Sequence, residues 1–265
     1  MILAYLLATL IGLSLGLLGG GGSILTVPIL VYVVKMDPKT SIALSLAIVG
    51  ATSLIGSIGH YRKGNINLKV ALIFAPFAMM GTFGGAKLSV FMSGATQLIL
   101  FAIIMLIASF FMFKGRKEEE IDESKKINYA LIAGQAIFVG IVTGIVGVGG
   151  GFIIVPALVL LANIRMKQAV GTSLFIIALN SISGFVGYLN LVEVPWSFLG
   201  TFIIFASIGI IIGSNLIQYV SQAKLKKAFA IFLVVMGFFI LYKNKDKFYT
   251  STQELNNARI EKFVS

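Results

Sequence analysis

The sequence contains no cysteine, one histidine and only ten acidic residues among its 265 positions. Without cysteine there is no disulfide framework, no thiol redox motif and no cysteine-based metal site. A single histidine without a cluster of carboxylates argues against a catalytic metal, so we predict neither a metal nor a cofactor. Charged residues make up 12% of the chain, whereas about 25% is usual in soluble domains. This shortage excludes a soluble globular enzyme, a disordered protein and a nucleic-acid-binding domain, despite the net charge of +11.

The chain is instead rich in long apolar runs, since hydrophobic residues make up 58% of it and the mean hydropathy is +0.99. A membrane-spanning helix needs about 20 apolar residues. The apolar blocks are 2–34, 42–59, 70–90, 98–113, 129–162, 170–192, 198–220 and 228–242. Helices are expected because lipid offers no partner to an unpaired backbone group. We therefore predict an all-α, multi-pass membrane protein, with the lipid bilayer as its surroundings.

Two of these blocks are too long for a single span. Residues 2–34 and 129–162 would each form a helix of about 50 Å at about 1.5 Å per residue. Each block is interrupted near its middle by a glycine cluster, Gly19–Ser23 in the first and Gly147–Gly151 in the second. Because glycine costs about 1 kcal/mol per residue in a helix, we predict that each block is a helix broken in two.

An internal repeat relates the two halves, which align without a gap when the chain is shifted by 128 positions. Gly16–Pro28 then lies on Gly144–Pro156. The predicted organisation is a first repeat at 1–114, a charged linker at 115–128, a second repeat at 129–242 and a polar tail at 243–265. A duplicated membrane unit with an interrupted apolar segment in each half is typical of transporters.

The sequence is compatible with two membrane topologies. In the first, each glycine break is a kink, so the chain has about eight spans, the repeats run parallel and both termini are cytoplasmic. In the second, each break is a hairpin turn, so each repeat has five crossings, the repeats are inverted and the termini lie outside. Lysine and arginine divide 13 to 8 between the two sides in both readings, so the positive-inside rule does not separate them. We favour eight spans.

The doubled pattern G-x-x-G-x-G-G-G/S-x-x-x-x-P, followed in each half by a T/S-S-L segment, resembles the TauE/SafE sulfite exporter family over residues 1–242. The resemblance implies a secondary transporter of the cytoplasmic membrane. It also implies a small sulfur-containing or organic anion as the substrate class.

The glycine breaks are the first candidate binding site. A helix that begins after such a break presents unpaired N–H groups in its first turn and the positive end of its dipole. Since glycine has no side chain, an anion can approach this backbone closely. The candidate substrate-binding residues are Gly19, Gly20, Gly21, Gly22, Ser23, Gly147, Gly149, Gly150 and Gly151. The alternative is that glycines allow close helix packing, which we expect of Gly12, Gly16, Gly81, Gly85, Gly209 and Gly213.

Polar residues in the second apolar block of each repeat are the second candidate. Thr52 and Ser53 match Asn180 and Ser181 in the repeat, and Ser45 lies on roughly the same helix face. These four matched residues are predicted to bind substrate. The alternative is hydrogen bonding between helices or to the carbonyl one turn back.

Two prolines and the single histidine are also assigned roles. Pro28 and Pro156 occupy matched positions after the breaks and are predicted hinges, since proline removes a helical hydrogen bond. His60 lies at the end of a span and is interpreted as a residue at the level of the lipid headgroups.

No acidic residue lies in the middle of a span, which favours an anion over a cation as substrate. We predict a secondary transporter, an exporter, that moves a small anion such as sulfite or an organosulfonate by alternating access around a site between the repeats. An enzyme is not expected, because no acid–base or nucleophilic group lies at depth. The alternatives are a passive anion channel and a non-transporting membrane scaffold.

Overall fold

The structure, a computed structural model, describes residues 2–114, 129–146, 151–160, 164–221, 223–224, 227–228 and 230–244. The predicted linker, Gly147, Gly149, Gly150 and the tail beyond Asn244 lie outside the described residues. Regular structure in the described part is helical throughout. Its helices are α1 Ile2–Leu18, α2 Ser23–Pro28, α3 Pro38–Arg62, α4 Leu68–Leu88, α5 Gly94–Lys114, α6 Tyr129–Val146, α7 Gly151–Leu160, α8 Met166–Tyr188, α9 Trp196–Leu216 and α10 Ala230–Asn244.

Five of the described helices are long and apolar enough to cross a membrane. They are α3, α4, α5, α8 and α9, with α4 and α9 extended to Phe91 and Tyr219 by 3-10 turns. Four shorter apolar helices accompany them, at Leu3–Leu18, Ser23–Val33, Ile132–Val146 and Ala230–Asn244. The predicted all-helical, multi-pass class is therefore confirmed.

Large apolar side chains also cover the outside of the described part. On α1, Leu3, Leu6 and Leu10 are 60%, 65% and 50% exposed. They recur every three or four residues and so form one stripe along the helix. Exposed apolar surface on this scale marks a contact surface, and here it is the surface that lipid covers.

The first apolar block is broken at its glycine cluster. The helix α1 ends at Leu18, a 3-10 turn occupies Gly19–Gly22, and α2 follows. Gly19 has a φ of +62°, which glycine adopts without the steric cost of a side chain. A Cβ on Gly22 would overlap the backbone nitrogen of Leu15, and the π turn Ile29–Val33 also contacts α1. The chain therefore reverses at this break and does not continue along the axis of α1.

Glycines hold α1 against α9 and α4 against α6 at backbone distance. A Cβ on Gly12 would overlap the carbonyl oxygen of Ala206, and one on Gly140 would overlap that of Ala78. The packing role predicted from small residues is confirmed by contacts of this kind at Gly12, Gly16, Gly81, Gly85, Gly209 and Gly213.

The contacts also fix the directions of the helices. Along α1 and α9 the contacting positions rise together, from Thr9 with Gly209 to Leu13 with Gly213, so these helices are parallel. Positions on α3 and α8 change in opposite senses. Gly50 meets Ser181, Gly56 meets Leu174 and His60 meets Gly171, so α3 and α8 are antiparallel.

Side-chain caps begin two of the central helices. The carboxylate of Asp37 accepts hydrogen bonds from the backbone N–H groups of Lys39 at 2.9 Å and Thr40 at 3.2 Å, and α3 starts there. The amide oxygen of Asn67 accepts from the N–H of Val70 at 3.2 Å and starts α4. Such caps satisfy the N–H groups that a first helical turn leaves open.

Candidate functional site

The first glycine break meets Gly151, the described residue of the second glycine cluster. A Cβ on Gly20 would overlap the Cα of Gly151, and a Cβ on Gly151 would overlap the Cα of Gly20. Glycine is required at both positions because the backbones themselves are in contact. The 3-10 turn of the first break therefore touches the start of α7.

Gly19 and Gly151 also contact α8. A Cβ on Gly19 would lie 2.8 Å from the hydroxyl oxygen of Ser173 and 3.1 Å from the Cα of Val170. A Cβ on Gly151 would lie 2.6 Å from the Cδ1 of Ile177, a residue at the middle of α8. Since α8 is long enough to cross a membrane, the two breaks meet at membrane depth, where irregular backbone is tolerated only inside protein or along a cavity.

The remaining residues of the first break stabilise the turn itself. The hydroxyl of Ser23 donates to the carbonyl oxygen of Gly20 at 2.6 Å, and its side chain is buried. Gly21 lies in the same 3-10 turn, and Gly22 packs on Leu15 of α1. In this conformation the Ser23 hydroxyl is occupied by the backbone of its own turn.

The predicted polar residues of α3 and α8 fall into two groups. Thr52 donates to the carbonyl oxygen of Ile48 at 2.7 Å, which is the bond to the preceding turn considered as the alternative. Ser53 and Ser181 are fully buried, and their hydroxyls have no hydrogen-bond partner. Gly50 lies one turn from Ser53, and a Cβ there would be 3.2 Å from the Cβ of Ser181. The antiparallel crossing of α3 and α8 therefore brings Ser53 and Ser181 into one region with open hydrogen-bonding capacity.

Asn180 connects three helices. Its amide oxygen accepts a hydrogen bond from the hydroxyl of Thr82 on α4, and its amide nitrogen donates to the hydroxyl of Thr143 on α6 at 3.2 Å. Thr82 also lies 3.1 Å from the carbonyl oxygen of Gly140. Asn180 is therefore satisfied by protein groups in this conformation.

The two prolines lie inside their short helices. Pro28 is the last residue of α2 and is followed directly by the π turn Ile29–Val33. Pro156 lies within α7. Because proline cannot donate the usual hydrogen bond, the change to wider winding after Pro28 has a local cause.

The sequence analysis did not predict that the side chain of His60 is buried. Its side chain is 0% exposed, and neither ring nitrogen meets strict hydrogen-bond geometry, although the ring faces the backbone of Gly16. Protein therefore encloses the ring, and the interpretation that His60 lies at the level of the lipid headgroups stays a prediction. The signal that was available is its spacing of seven residues from Ser53, which places both on one side of α3.

Acidic side chains are absent from the helices of the described part of the chain. The acidic residues described are Asp37, which caps α3, and Glu193, which lies exposed before α9. The buried region around the breaks is therefore free of carboxylates among the described residues, and its open groups are hydroxyls, an imidazole and glycine backbone.

A bundle of apolar helices in which a described helix is broken at a glycine cluster is typical of multi-pass membrane transporters. The family model of the sulfite exporter TauE/SafE matches residues 4–240. The chain therefore belongs to the TauE/SafE family, and the resemblance stated from the doubled glycine pattern is confirmed.

Relatives in other organisms match along nearly their whole length. A probable membrane transporter protein of Xylella fastidiosa strain 9a5c is 30% identical over 241 residues, which cover 89% of this chain and 92% of the relative. The probable membrane transporter protein YdhB of Bacillus subtilis strain 168 is 28% identical over 247 residues, covering 91% and 100%. No solved structure matches the chain. The family and these relatives make this protein a membrane transporter.

Proposed function

We propose that this protein is a secondary transporter of a small anion, such as sulfite or an organosulfonate, and that it works by alternating access around the meeting point of the two glycine breaks. The observation that carries the proposal is the backbone contact between Gly20 and Gly151 at the middle of α8. A site with backbone and hydroxyl groups, and without carboxylates among its described residues, suits an anion, since no negative charge repels it.

The open hydroxyls support the same substrate class. Ser53 and Ser181 are buried without partners on two helices that cross beside the breaks. An unpaired buried polar group costs about 1–3 kcal/mol, and an oxyanion that accepts hydrogen bonds from both serines would recover that cost. Thr52 and Asn180 remain proposed substrate contacts only in a conformation that releases their present partners.

We further propose that the chain consists of two inverted repeats, 1–114 and 129–242, and not of eight spans in parallel repeats. The helices α3 and α8 occupy matched positions 128 residues apart, yet they run antiparallel. Their contacts are also reciprocal, since Gly56 meets Leu174 and Gly184 meets Leu46. A two-fold axis in the membrane plane produces this arrangement, whereas parallel repeats would make matched helices run in the same direction.

The proposed inverted repeats provide a mechanism for alternating access. If the two halves exchange conformations about the two-fold axis, the route opens first on one side of the membrane and then on the other. The breaks remain at the centre of this motion, because Gly20 and Gly151 lie in contact with each other. The substrate site then stays in place while access to it alternates.

Transport in reconstituted vesicles tests the proposal. We expect saturable uptake of radiolabelled sulfite, accelerated by unlabelled sulfite on the opposite side, because counterflow requires a carrier. Saturable sulfite flux without counterflow would indicate a passive channel. Absence of flux for sulfite, sulfate and small sulfonates would contradict the proposal and favour a scaffold.

A matched pair of glycine variants tests the site. Gly20→Ala places a methyl group on the backbone of Gly151, so we expect at least about a tenfold loss of transport, equivalent to about 1.4 kcal/mol. Gly84→Ala is the control, because nothing lies within 4 Å of a Cβ at that position. Gel filtration and thermal unfolding identify a variant that fails to fold. Normal transport by folded Gly20→Ala would overturn the site.

A further inference from the structure

Unpartnered polar groups are concentrated on one helix. Among the described residues, the buried hydroxyls and ring nitrogens without a hydrogen-bond partner belong to Thr26, Ser41, Ser45, Ser53, His60 and Ser181. Four of these six residues lie on α3. A helical serine ordinarily has the carbonyl of the preceding turn within reach, and buried polar groups without any partner are exceptions that call for an explanation.

The four residues on α3 share one side of the helix. At about 100° per residue, Ser41, Ser45, Ser53 and His60 fall within about 120° of arc. We call this set the polar face of α3. From Ser41 to His60 the helix rises about 28 Å, which is close to the hydrocarbon thickness of a bilayer at about 30 Å. The polar face of α3 therefore extends over the full depth of a membrane.

The matching helix α8 lacks such a face. The position that matches Ser41 is Ala169. Ser173, which matches Ser45, donates to the carbonyl oxygen of Val170 at 2.8 Å. Tyr188, which matches His60, donates to the carbonyl oxygen of Gly144 at 3.2 Å. Ser181 alone keeps a free hydroxyl, so the row of open groups is a property of α3 and not of the general composition of these spans.

The surroundings of His60 are basic or neutral. A Cβ on Gly171 of α8 would lie 3.0 Å from the Cβ of His60. Lys63, one turn further along, donates to the carbonyl oxygen of Ser214 and to the amide oxygen of Asn215, both at 2.8 Å. The described carboxylates are remote from it, since Asp37 caps the opposite end of α3. No described carboxylate of the protein would compete with a ligand that brings its own negative charge to His60.

We propose that the polar face of α3 lines the route of a small oxyanion across the bilayer, and that His60 contacts the anion at one end of this route. The inference rests on the proposed transport function and assigns the route to one of two matched helices. The serine hydroxyls and an imidazole N–H donate, and the oxyanion accepts. Steps of about 12 Å from Ser45 to Ser53 and about 10 Å from Ser53 to His60 separate successive donors, so the anion and its remaining water pass from one to the next.

Single cysteines test the route, because the natural chain has none. The reagent is 2-sulfonatoethyl methanethiosulfonate, itself a small sulfonate, applied to reconstituted protein carrying Ser45→Cys or Ser53→Cys. The control is Ala43→Cys, which is also fully buried but lies on the far side of α3. We expect the two serine positions to react at least about tenfold faster than position 43, a difference of about 1.4 kcal/mol. Equal rates at the three positions, or no reaction at 45 and 53, would overturn the route.

Two substitutions test the contact at His60. We expect His60→Leu to raise KM for labelled sulfite by about tenfold, or about 1.4 kcal/mol, with little change in thermal unfolding. His60→Gln keeps an N–H donor and should recover part of the affinity. The control is Ser57→Ala, because the Ser57 hydroxyl donates to its own helix at the carbonyl of Leu54. An unchanged KM in His60→Leu would overturn the contact.

The outcomes separate this inference from the proposed function. Rapid labelling at 45 and 53 without saturable anion flux would refute the transporter proposal and leave a water-filled route along α3. Saturable flux without labelling at those positions would refute the route alone.

Discussion

At the scale of single residues, the surroundings of a glycine decide its function. Gly209 and Gly200 both lie on α9. A Cβ on Gly209 would overlap the carbonyl oxygen of Thr9 on α1, whereas nothing lies within 4 Å of a Cβ on Gly200. The sequence spacing of Gly209 and Gly213 predicted close packing correctly. Which helix they pack against was not predictable, since spacing describes one helix and not its neighbour.

These two glycines give a matched prediction of stability. Gly209→Ala forces α1 and α9 apart, and such overpacking costs about 1–3 kcal/mol. Gly200→Ala should leave stability unchanged or raise it by up to about 1 kcal/mol, because alanine favours the helix. Thermal unfolding of the purified variants in detergent measures both. Equal melting temperatures for the two variants would show that the α1–α9 contact does not stabilise the protein.

At the scale of helices, the apolar blocks located the long helices, although block 170–192 begins and ends four residues later than Met166–Tyr188. The block 170–192 corresponds to α8, and the block 198–220 to α9 with its closing 3-10 turn. The reversal at Gly19–Gly22 could not be predicted, because a glycine cluster shows where a helix stops and not the direction in which the chain leaves. That direction depends on the positive φ of Gly19 and on tertiary contacts with α8.

A substitution at Pro28 tests whether the short helix after the first break contains a hinge. Pro28→Ala restores a donor to the backbone before the π turn Ile29–Val33, so we expect straighter winding and slower transport. Stability should be equal or higher, since proline inside a helix costs about 3 kcal/mol. Pro76→Ala in α4 is the control, because Pro76 has no counterpart in the other half. Labelled sulfite flux and thermal unfolding are measured for both. Full activity in Pro28→Ala would exclude a hinge at this position.

At the scale of the whole molecule, charge counting failed to choose a topology because both arrangements divide the basic residues 13 to 8. The antiparallel contact of α3 with α8 favours inverted repeats on geometric grounds. Contacts between distant helices carry this information, and no local pattern in the sequence contains it.

Three exposed positions distinguish the two topologies whichever way the protein is inserted. With inverted repeats, Ser93 and Glu193 share one side of the membrane and Arg62 lies on the other. With eight spans in parallel repeats, Glu193 shares a side with Arg62. We expect a membrane-impermeant maleimide on intact cells to treat Ser93→Cys and Glu193→Cys alike and Arg62→Cys differently. The same response from Glu193→Cys and Arg62→Cys would restore the parallel arrangement.

The pairing of α1 with α9 has a consequence for how the protein assembles during its synthesis. The glycine-lined side of α1 is complete after 18 residues, but its partner is not complete until residue 216. At about 5–20 residues per second, synthesis leaves α1 without this partner for about 10 to 40 s. During that interval its exposed backbone lies in lipid or beside the insertion machinery, free to pair wrongly. Assembly of the described bundle is therefore completed late, because α1 is made well before α9 and waits for it to reach its final place.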